Sequence, residues 1–296
     1  MPQPPSEGCF ASRPGPIGTR FHTIRDFEVL DSTNTYLVEE ACKGAPEGLV
    51  ALAAEQSAGR GRLGRAWASP PGENLLVSVL LRPRLSVDEL HLCTVAVALA
   101  ARYATKMATG VEPGLKWPND LVVEDRKLAG ILAESIIVAS ESPPGIEPAS
   151  AAAEPARAVV VGIGMNLNWP RTREEALAVE VELGRGLEGG ARRPITSLLV
   201  ESGVHVDAAS FLEVFLGDLD WRVGDLDSSA GRRRQAGEYR SVCVTLGRRV
   251  RVDTGSGLGG SPIEGEAVDI TAEGHLVVQG EVCMSTVSAG DVYHLS

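Results

Sequence analysis

Seven residues, Gly59 to Arg65 within the stretch AEQSAGRGRLGRAWASP, hold three glycines and three arginines in a chain of formal net charge −11. Glycines let backbone N–H groups come close to a ligand, and guanidinium groups are planar forks matched to carboxylate and phosphate. Together they suit a loop that wraps a phosphorylated ligand. A solvated hairpin tip, charged for solubility, is the other reading of this stretch taken alone. A Walker A loop is excluded, because no Gly-Lys-Ser/Thr follows and apparent strands flank the loop on both sides.

Three further segments carry groups that could act with it. KWPND, Lys116 to Asp120, sets a lysine, an amide and a carboxylate on a turn after a strand. DRKLAGIL, Asp125 to Leu132, puts Lys127 beside a small-residue step, Ala129-Gly130, where a ligand can approach the backbone. GIGMNLN, Gly162 to Asn168, ends a strand in two glycines and two amides. Turn chemistry and sheet packing account for each segment singly. Only Lys43, Lys106, Lys116 and Lys127 are lysines among the 28 basic residues, which draws attention to those in the motifs.

The elements that must position these groups follow from pattern. LDSTNTYLVEEACKG reads as a helix from about Thr33 with Ser32 as N-cap and Lys43-Gly44 at its end. GLVALAAEQS and NLLVSVLLRP are short Val/Leu-rich runs, read as strands flanking the Gly/Arg loop. SVDELHLCTVAVALAARYAT opens with a capping box, Ser86 and Glu89, and continues as a helix apolar around most of its circumference, hence buried against a sheet. LKWPNDLVVEDRKLAGILAESIIV reads as strand, turn, strand, turn, strand, with Pro118 breaking the first strand and Glu124 to Arg126 turning the hairpin. Residues 139–157, small, Pro-rich and acidic, cannot bury enough surface to order themselves and are read as a disordered tip between two strands that would pair as a hairpin. ITSLLVESG and VDAASFLEVFLGDLDWRVGDL read as helices. From about Glu238, short alternating strands with Gly-rich turns predict a small β-barrel.

The totals fit one larger and one smaller domain in 296 residues, with 44% apolar and 23% charged residues. A pI near 5.0 argues against a general nucleic-acid binder and against attraction to an anionic membrane. No run of 18 apolar residues occurs, so no membrane span is expected. Prolines stand where a signal peptide needs an apolar core, so residues 1–20 read as a disordered, unexported tail. Five cysteines without ligand-like spacing suit reduced thiols in the cytoplasm, and the five scattered histidines suggest no zinc site.

In this order and at these spacings, DSTN, AEQSAGRGRLGR, KWPND, RKLAGIL and GIGMNLN resemble the biotin protein ligase family, and SAGDVYHL resembles the end of its C-terminal SH3-like domain. The resemblance spans about residues 22–296. It implies an α+β fold: a mixed sheet with packed helices, class II synthetase-like, over residues 21–237, and an SH3-like barrel over 238–296. It implies an enzyme that uses biotin and MgATP to make biotinyl-5′-AMP, then passes biotin to a lysine of a biotin carboxyl carrier domain of an acyl-CoA carboxylase. A monomer or weak homodimer in the cytoplasm is expected. DSTN begins at residue 31, which leaves no room ahead of it for the winged helix-turn-helix of family members that double as repressors, so DNA binding is not expected. Two alternatives share features with this reading: a lipoate or octanoate ligase of the same fold, and a non-enzymatic biotin-responsive binder.

The resemblance also assigns residues. Ser32, Thr33, Asn34 and Gln56 match positions that hold the biotin rings, with Arg60, Gly61, Arg62, Lys127 and Gly130 completing that set. Arg62, Arg65, Trp67, Asn119 and Asn166 fall to the ATP or adenylate, Trp67 either by stacking or by packing. Arg60, Arg62 and Lys127 are the candidates to neutralise the carboxylate and phosphate as they meet. Asp120 is open to two roles, holding Mg²⁺ or accepting the acceptor lysine's proton, with Mg²⁺ carried mainly by the ATP phosphates. No covalent nucleophile is needed, because the adenylate itself activates the carboxyl carbon.

Overall fold

The computed structural model describes residues 10–137, 157–183, 194–254 and 262–295. Eight strands make one mixed sheet: β1 (Phe10–Pro14), β2 (Thr23–Leu30), β3 (Leu49–Gln56), β4 (Leu75–Leu81), β5 (Gly114–Lys116), β6 (Asp120–Val123), β7 (Arg126–Ile137) and β8 (Arg157–Met165). Their order is β1-β2-β3-β4-β8-β7-β6-β5, with β2 and β3 parallel and the other neighbours antiparallel. Helix α1 (Thr33–Cys42) covers one face, where Leu37 and Ala41 pack on Ala51, Leu80 and Val160. On the other face lies α2 (His91–Thr109), apolar nearly all round because α5 (Ala208–Asp225) and α6 (Ser229–Val242) back it. Two shorter helices, α3 (Arg173–Leu183) and α4 (Leu198–Ser202), follow β8.

Alternation along the strands explains where a cavity can form. On β4 and β8, Val77, Val79, Val159, Val161 and Ile163 point to the α2 face, while Leu80, Ala158 and Val160 point to α1. Continuing that α1-facing row brings Gly162 and Gly164 on β8, and Gly130 pairs with Gly164 across β7. Three positions without side chains, at the N-terminal end of α1, leave a hollow in an otherwise filled layer.

Several expectations hold. Ser32 caps α1 by accepting the Thr35 N–H, the Ser86/Glu89 capping box is present ahead of α2, and β7 and β8 pair out to Ile137 and Arg157. The disordered insertion expected at 139–157 falls, but for Arg157, outside the described residues.

Other expectations need correction. Residues 10–14 of the expected tail form β1, because Phe10 packs on Phe27 at 5.4 Å and Arg13 pairs with Asp26 at 3.1 Å. Arg20 is likewise held, 2.9 Å from Asp220 and from Glu47. The boundary drawn at Glu238 falls inside α6, whose Tyr239 is buried. The C-terminal strands β9 (Arg249–Asp253), β10 (Ile263–Ile270), β11 (Leu276–Gln279), β12 (Met284–Val287) and β13 (Asp291–His294) form an antiparallel sheet in the order β12-β11-β10-β9-β13. Among the described residues β12 and β13 do not pair, so this is an open sheet rather than a closed barrel.

The C-terminal sheet is joined to the KWPND hairpin. Trp117 Nε1 donates to Gly274 O at 2.9 Å, and Asp125 on the β6–β7 turn meets Arg248 at 2.8 Å and His294 Nδ1 at 3.0 Å. Burial, with Lys116 and Arg248 alongside, pulls the His294 pKa down to about 4 although Asp125 opposes the shift. The imidazole is therefore neutral in the fold, while in the unfolded chain it gains a proton below pH ~6.5. Its contribution to stability is present above that pH and is lost as pH falls toward about 4. Burial works against ionisation of Asp125, but Arg248 and His294 outweigh it and lower its pKa, so this group too loses stabilisation in acid. The melting temperature should fall between pH 7 and pH 5, and less steeply in His294→Gln. Parallel pH profiles for the two proteins would refute this account of the joint.

Candidate active site

The hollow beside α1 is a pocket walled by α1, β7, β8 and the Gly/Arg loop. Of the residues singled out from the sequence, Ser32, Thr33, Asn34, Gln56, Arg60, Gly61, Arg62, Arg65, Trp67, Asn119, Asp120, Lys127 and Gly130 all line it. Asn166 does not. It is 4% exposed, donates to Thr196 O at 2.8 Å and accepts from Asn74 at 3.3 Å, so its amide ties β8 to the segment before α4.

At one end the groups are neutral. Gln56 Oε1 accepts from both Thr33 N (2.8 Å) and Thr33 Oγ1 (3.0 Å), which fixes the amide and turns Nε2 toward Gly59. A Cβ on Gly59 would lie 3.1 Å from that nitrogen and 2.4 Å from Trp67 O, so this position requires glycine. Asn34 is committed to the fold. Its Nδ2 donates to Leu132 O (3.2 Å) and Glu134 Oε2 (2.8 Å), and its Oδ1 accepts from Ser78 (2.7 Å). The donors left for a ligand here are the Ser32 hydroxyl and the Gln56 amide.

At the other end the groups are charged. The loop folds back on itself through an Arg60–Ala66 bridge, Gly61 N to Arg65 O at 2.7 Å and Trp67 N to Gly59 O at 2.9 Å, with Leu63 and Gly64 at positive φ forming its tip. Trp67 consequently lies over the paired glycines: a Cβ at Gly164 would sit 2.4 Å from its ring. Lys127 Nζ is 5.5 Å from the ring centroid and 2.8 Å from Asp120 Oδ1. The Asp120 side chain is only 2% exposed, so its charge is compensated by that ammonium rather than by water. Arg62 Nη1 donates to Asn119 Oδ1 at 3.2 Å, Arg60 pairs with Glu134 at 3.2 Å, and Arg65 pairs with Asp291 of the C-terminal sheet.

Thus every one of these four cations already has a carboxylate or amide partner, which is how an acidic protein gathers positive charge at one point. An anionic ligand would exchange for these partners or sit among them. Sequence reasoning missed Glu134, Asp291 and Ser78. Single Ser, Asp and Glu residues carry no local signal, and their partners lie 44, 226 and 74 residues away. The glycines of GIGMNLN were visible, but their role as the pocket floor was not. Among the described residues no group of three or more His, Cys, Asp or Glu could hold a metal, and no helix is long and apolar enough to cross a membrane.

A pocket that is neutral at one end and cationic at the other can orient a long ligand with a polar head and an anionic tail. Comparison with known proteins agrees with this reading. Residues 27–142 match the Biotin/lipoate A/B protein ligase family, and residues 245–295 match the Biotin protein ligase C terminal domain. The biotin--[acetyl-CoA-carboxylase] ligase of Mycobacterium tuberculosis is 32% identical over 269 residues, covering 89% of this chain and 86% of that one. The protein of the same name from Paracoccus denitrificans is also 32% identical over 269 residues, covering 89% and 97%. In fold, the chain is similar to the biotin protein ligase of Aquifex aeolicus solved in complex with biotin and ATP, with a TM-score of 0.67 at 22% identity, covering 91% and 97%. With matches in both its N- and C-terminal parts and relatives aligned over nearly their whole length, the chain belongs to the biotin protein ligase family.

Proposed function

We propose that this protein activates biotin with ATP and transfers it to a lysine of a biotin carboxyl carrier domain of an acyl-CoA carboxylase. The observation that carries this reading is the polarity of the pocket beside α1. The Ser32 hydroxyl and the Gln56 amide suit an uncharged ureido ring, and Lys127, Arg62 and Arg65 gather where a carboxylate and a phosphate must meet. The biotin carboxylate oxygen attacks the α-phosphorus of ATP, and pyrophosphate leaves. The deprotonated ε-amine of the acceptor lysine then attacks the carbonyl carbon of the mixed anhydride, and AMP departs with the C–O bond electrons. Bringing two anions together is the electrostatic problem, and preorganised cations at that point are the remedy.

In this reading Lys127 is the cation between carboxylate and phosphate, and Asp120 holds it there at 2.8 Å. Arg62 and Arg65 face the nucleotide phosphate, and Trp67 covers the adenylate. Mg²⁺ is the partner of the ATP phosphates and enters as part of that substrate. The described residues supply no carboxylate cluster for a resident ion, and Asp120 is already engaged by Lys127. Use of ATP and of a carboxylase acceptor supports a cytoplasmic location.

Isotopic pyrophosphate exchange into ATP, with biotin, lipoate and octanoate compared, tests the reading. Exchange should depend on biotin, because a dithiolane or an alkyl chain leaves the Ser32 and Gln56 donors unpaired, a loss of about 1–3 kcal/mol for each buried group. Equal exchange with lipoate would overturn the substrate assignment, and none with any acid would overturn the enzymatic one.

A further inference from the structure

We propose that Glu134 is a positioning residue that docks the Gly/Arg loop through Arg60, and that Asn34 and Ser78 aim its carboxylate. Glu134 lies on β7 two residues beyond Leu132, outside the pocket wall, so it acts on the reaction only through another group. Two bonded residues, Ser78 and Asn34, lead to it from the middle of the sheet. Ser78, fully buried on β4, is 2.7 Å from Asn34 Oδ1. Asn34 Nδ2 faces two acceptors, Leu132 O and Glu134 Oε2, so the sense of the amide is set and Oδ1 faces the Ser78 hydroxyl, which also lies 2.7 Å from Thr33 Oγ1. Glu134 thereby accepts a neutral donor at one oxygen and keeps its charge for Arg60. Arg60 Nη2 sits 3.2 Å from both carboxylate oxygens and donates to Thr35 Oγ1 at 3.1 Å.

The chain of bonds therefore runs from β4 through the start of α1 to β7 and out to the loop. Gly162 is the condition for it, since a Cβ there would lie 2.1 Å from Asn34 Oδ1 and 2.8 Å from Ser78 Oγ. The Arg60 and Glu134 side chains are 47% and 30% exposed, so the pair sets the loop's closing equilibrium without locking it. A loop that must admit substrates and release products needs a clasp of that modest strength.

The ligand readout rests on the biotin ligase reading above, whereas the loop readout does not. Two quantities are measured in wild type, Glu134→Gln, Arg60→Gln and the double variant. The first is hydrogen exchange of the Gly61 and Trp67 amides in protein without ligands. The second is the dissociation rate of biotinyl-5′-AMP from preloaded protein. Glu134→Gln should raise both by about fivefold, the upper range for an exposed ion pair. Melting temperatures should stay within a few degrees of wild type. Because Glu134 acts through Arg60, the double variant should be no faster than Arg60→Gln alone. Unchanged exchange in Glu134→Gln, or effects of the two substitutions that multiply, would overturn the proposal. If wild type fails to bind the adenylate, the ligase reading fails, and amide exchange still decides the clasp.

Discussion

Lys127→Gln should form biotinyl-5′-AMP about 10²-fold more slowly than wild type, on the scale of a removed electrostatic stabiliser. Lys127 Nζ stands at the cationic end of the pocket, 2.8 Å from Asp120 and against Gly130, where a Cβ would lie only 3.0 Å away. That narrow slot, roofed by the Trp67 ring 5.5 Å from the ammonium, takes a compact point charge. A guanidinium is wider and planar, so Lys127→Arg should rescue activity poorly although it keeps the charge. Lys43 and Lys106 form exposed pairs with Glu40 and Glu112, and their glutamine variants should be nearly silent. Transfer from supplied biotinyl-5′-AMP should suffer less than its formation, because the carboxylate–phosphate repulsion has by then been overcome. Removing the ammonium also strands the Asp120 carboxylate, so thermal melting must accompany the kinetics, with Asp120→Asn added to restore neutrality if the single variant is unstable. Near-normal pyrophosphate exchange by a folded Lys127→Gln protein would remove this residue from the mechanism.

Gly162→Ala should cost about 3 kcal/mol of stability and weaken biotin binding together. The added methyl would meet Asn34 Oδ1 at 2.1 Å and Ser78 Oγ at 2.8 Å, in the middle of a sheet whose neighbours on both sides are hydrogen-bonded strands. β8 cannot yield, so Asn34 must swing out. Overpacking of this kind costs about 1–3 kcal/mol, and pulling the buried Asn34 amide off Ser78 and Glu134 adds about 1–3 kcal/mol, although Ser78 keeps Thr33 Oγ1 as an acceptor at 2.7 Å. For a chain of this size the melting temperature should drop by roughly 6–12 °C. Because Thr33 and Asn34 begin α1, the same displacement moves the Thr33–Gln56 pair, and KM for biotin should rise with little change in KM for ATP. Gly217→Ala, in α5 where no atom approaches within 4 Å, is the control and should be neutral or slightly stabilising. A melting temperature for Gly162→Ala within about 2 °C of wild type would show that the pocket floor is softer than its packing implies.

The sequence by itself determined the pieces whose causes are local. Ser32 announces the start of α1 because a hydroxyl at an N-cap satisfies a backbone N–H three residues on, within one turn. Val/Leu runs bounded by turns announce β3, β4 and β8, and the glycines and arginines of the loop announce chemistry through residue type alone. Together with the motif order, these determined the family and thirteen of the twenty residues that line the pocket. What the tertiary structure decided depends on pairs with no shared window. β1 exists because Phe10 and Arg13 find Phe27 and Asp26 on β2, although its own composition resembles a tail. Asn166 carries the same side-chain amide as Asn119, yet the partners it meets across the fold turn it away from the pocket. The partners of the loop arginines come from the far C-terminus and from mid-sheet, Asp291 for Arg65 and Glu134 for Arg60. A lone carboxylate gives no periodicity and no turn signal. Its meaning comes from the charge that folding brings within about 3 Å of it, where Coulomb attraction and hydrogen bonding outweigh hydration.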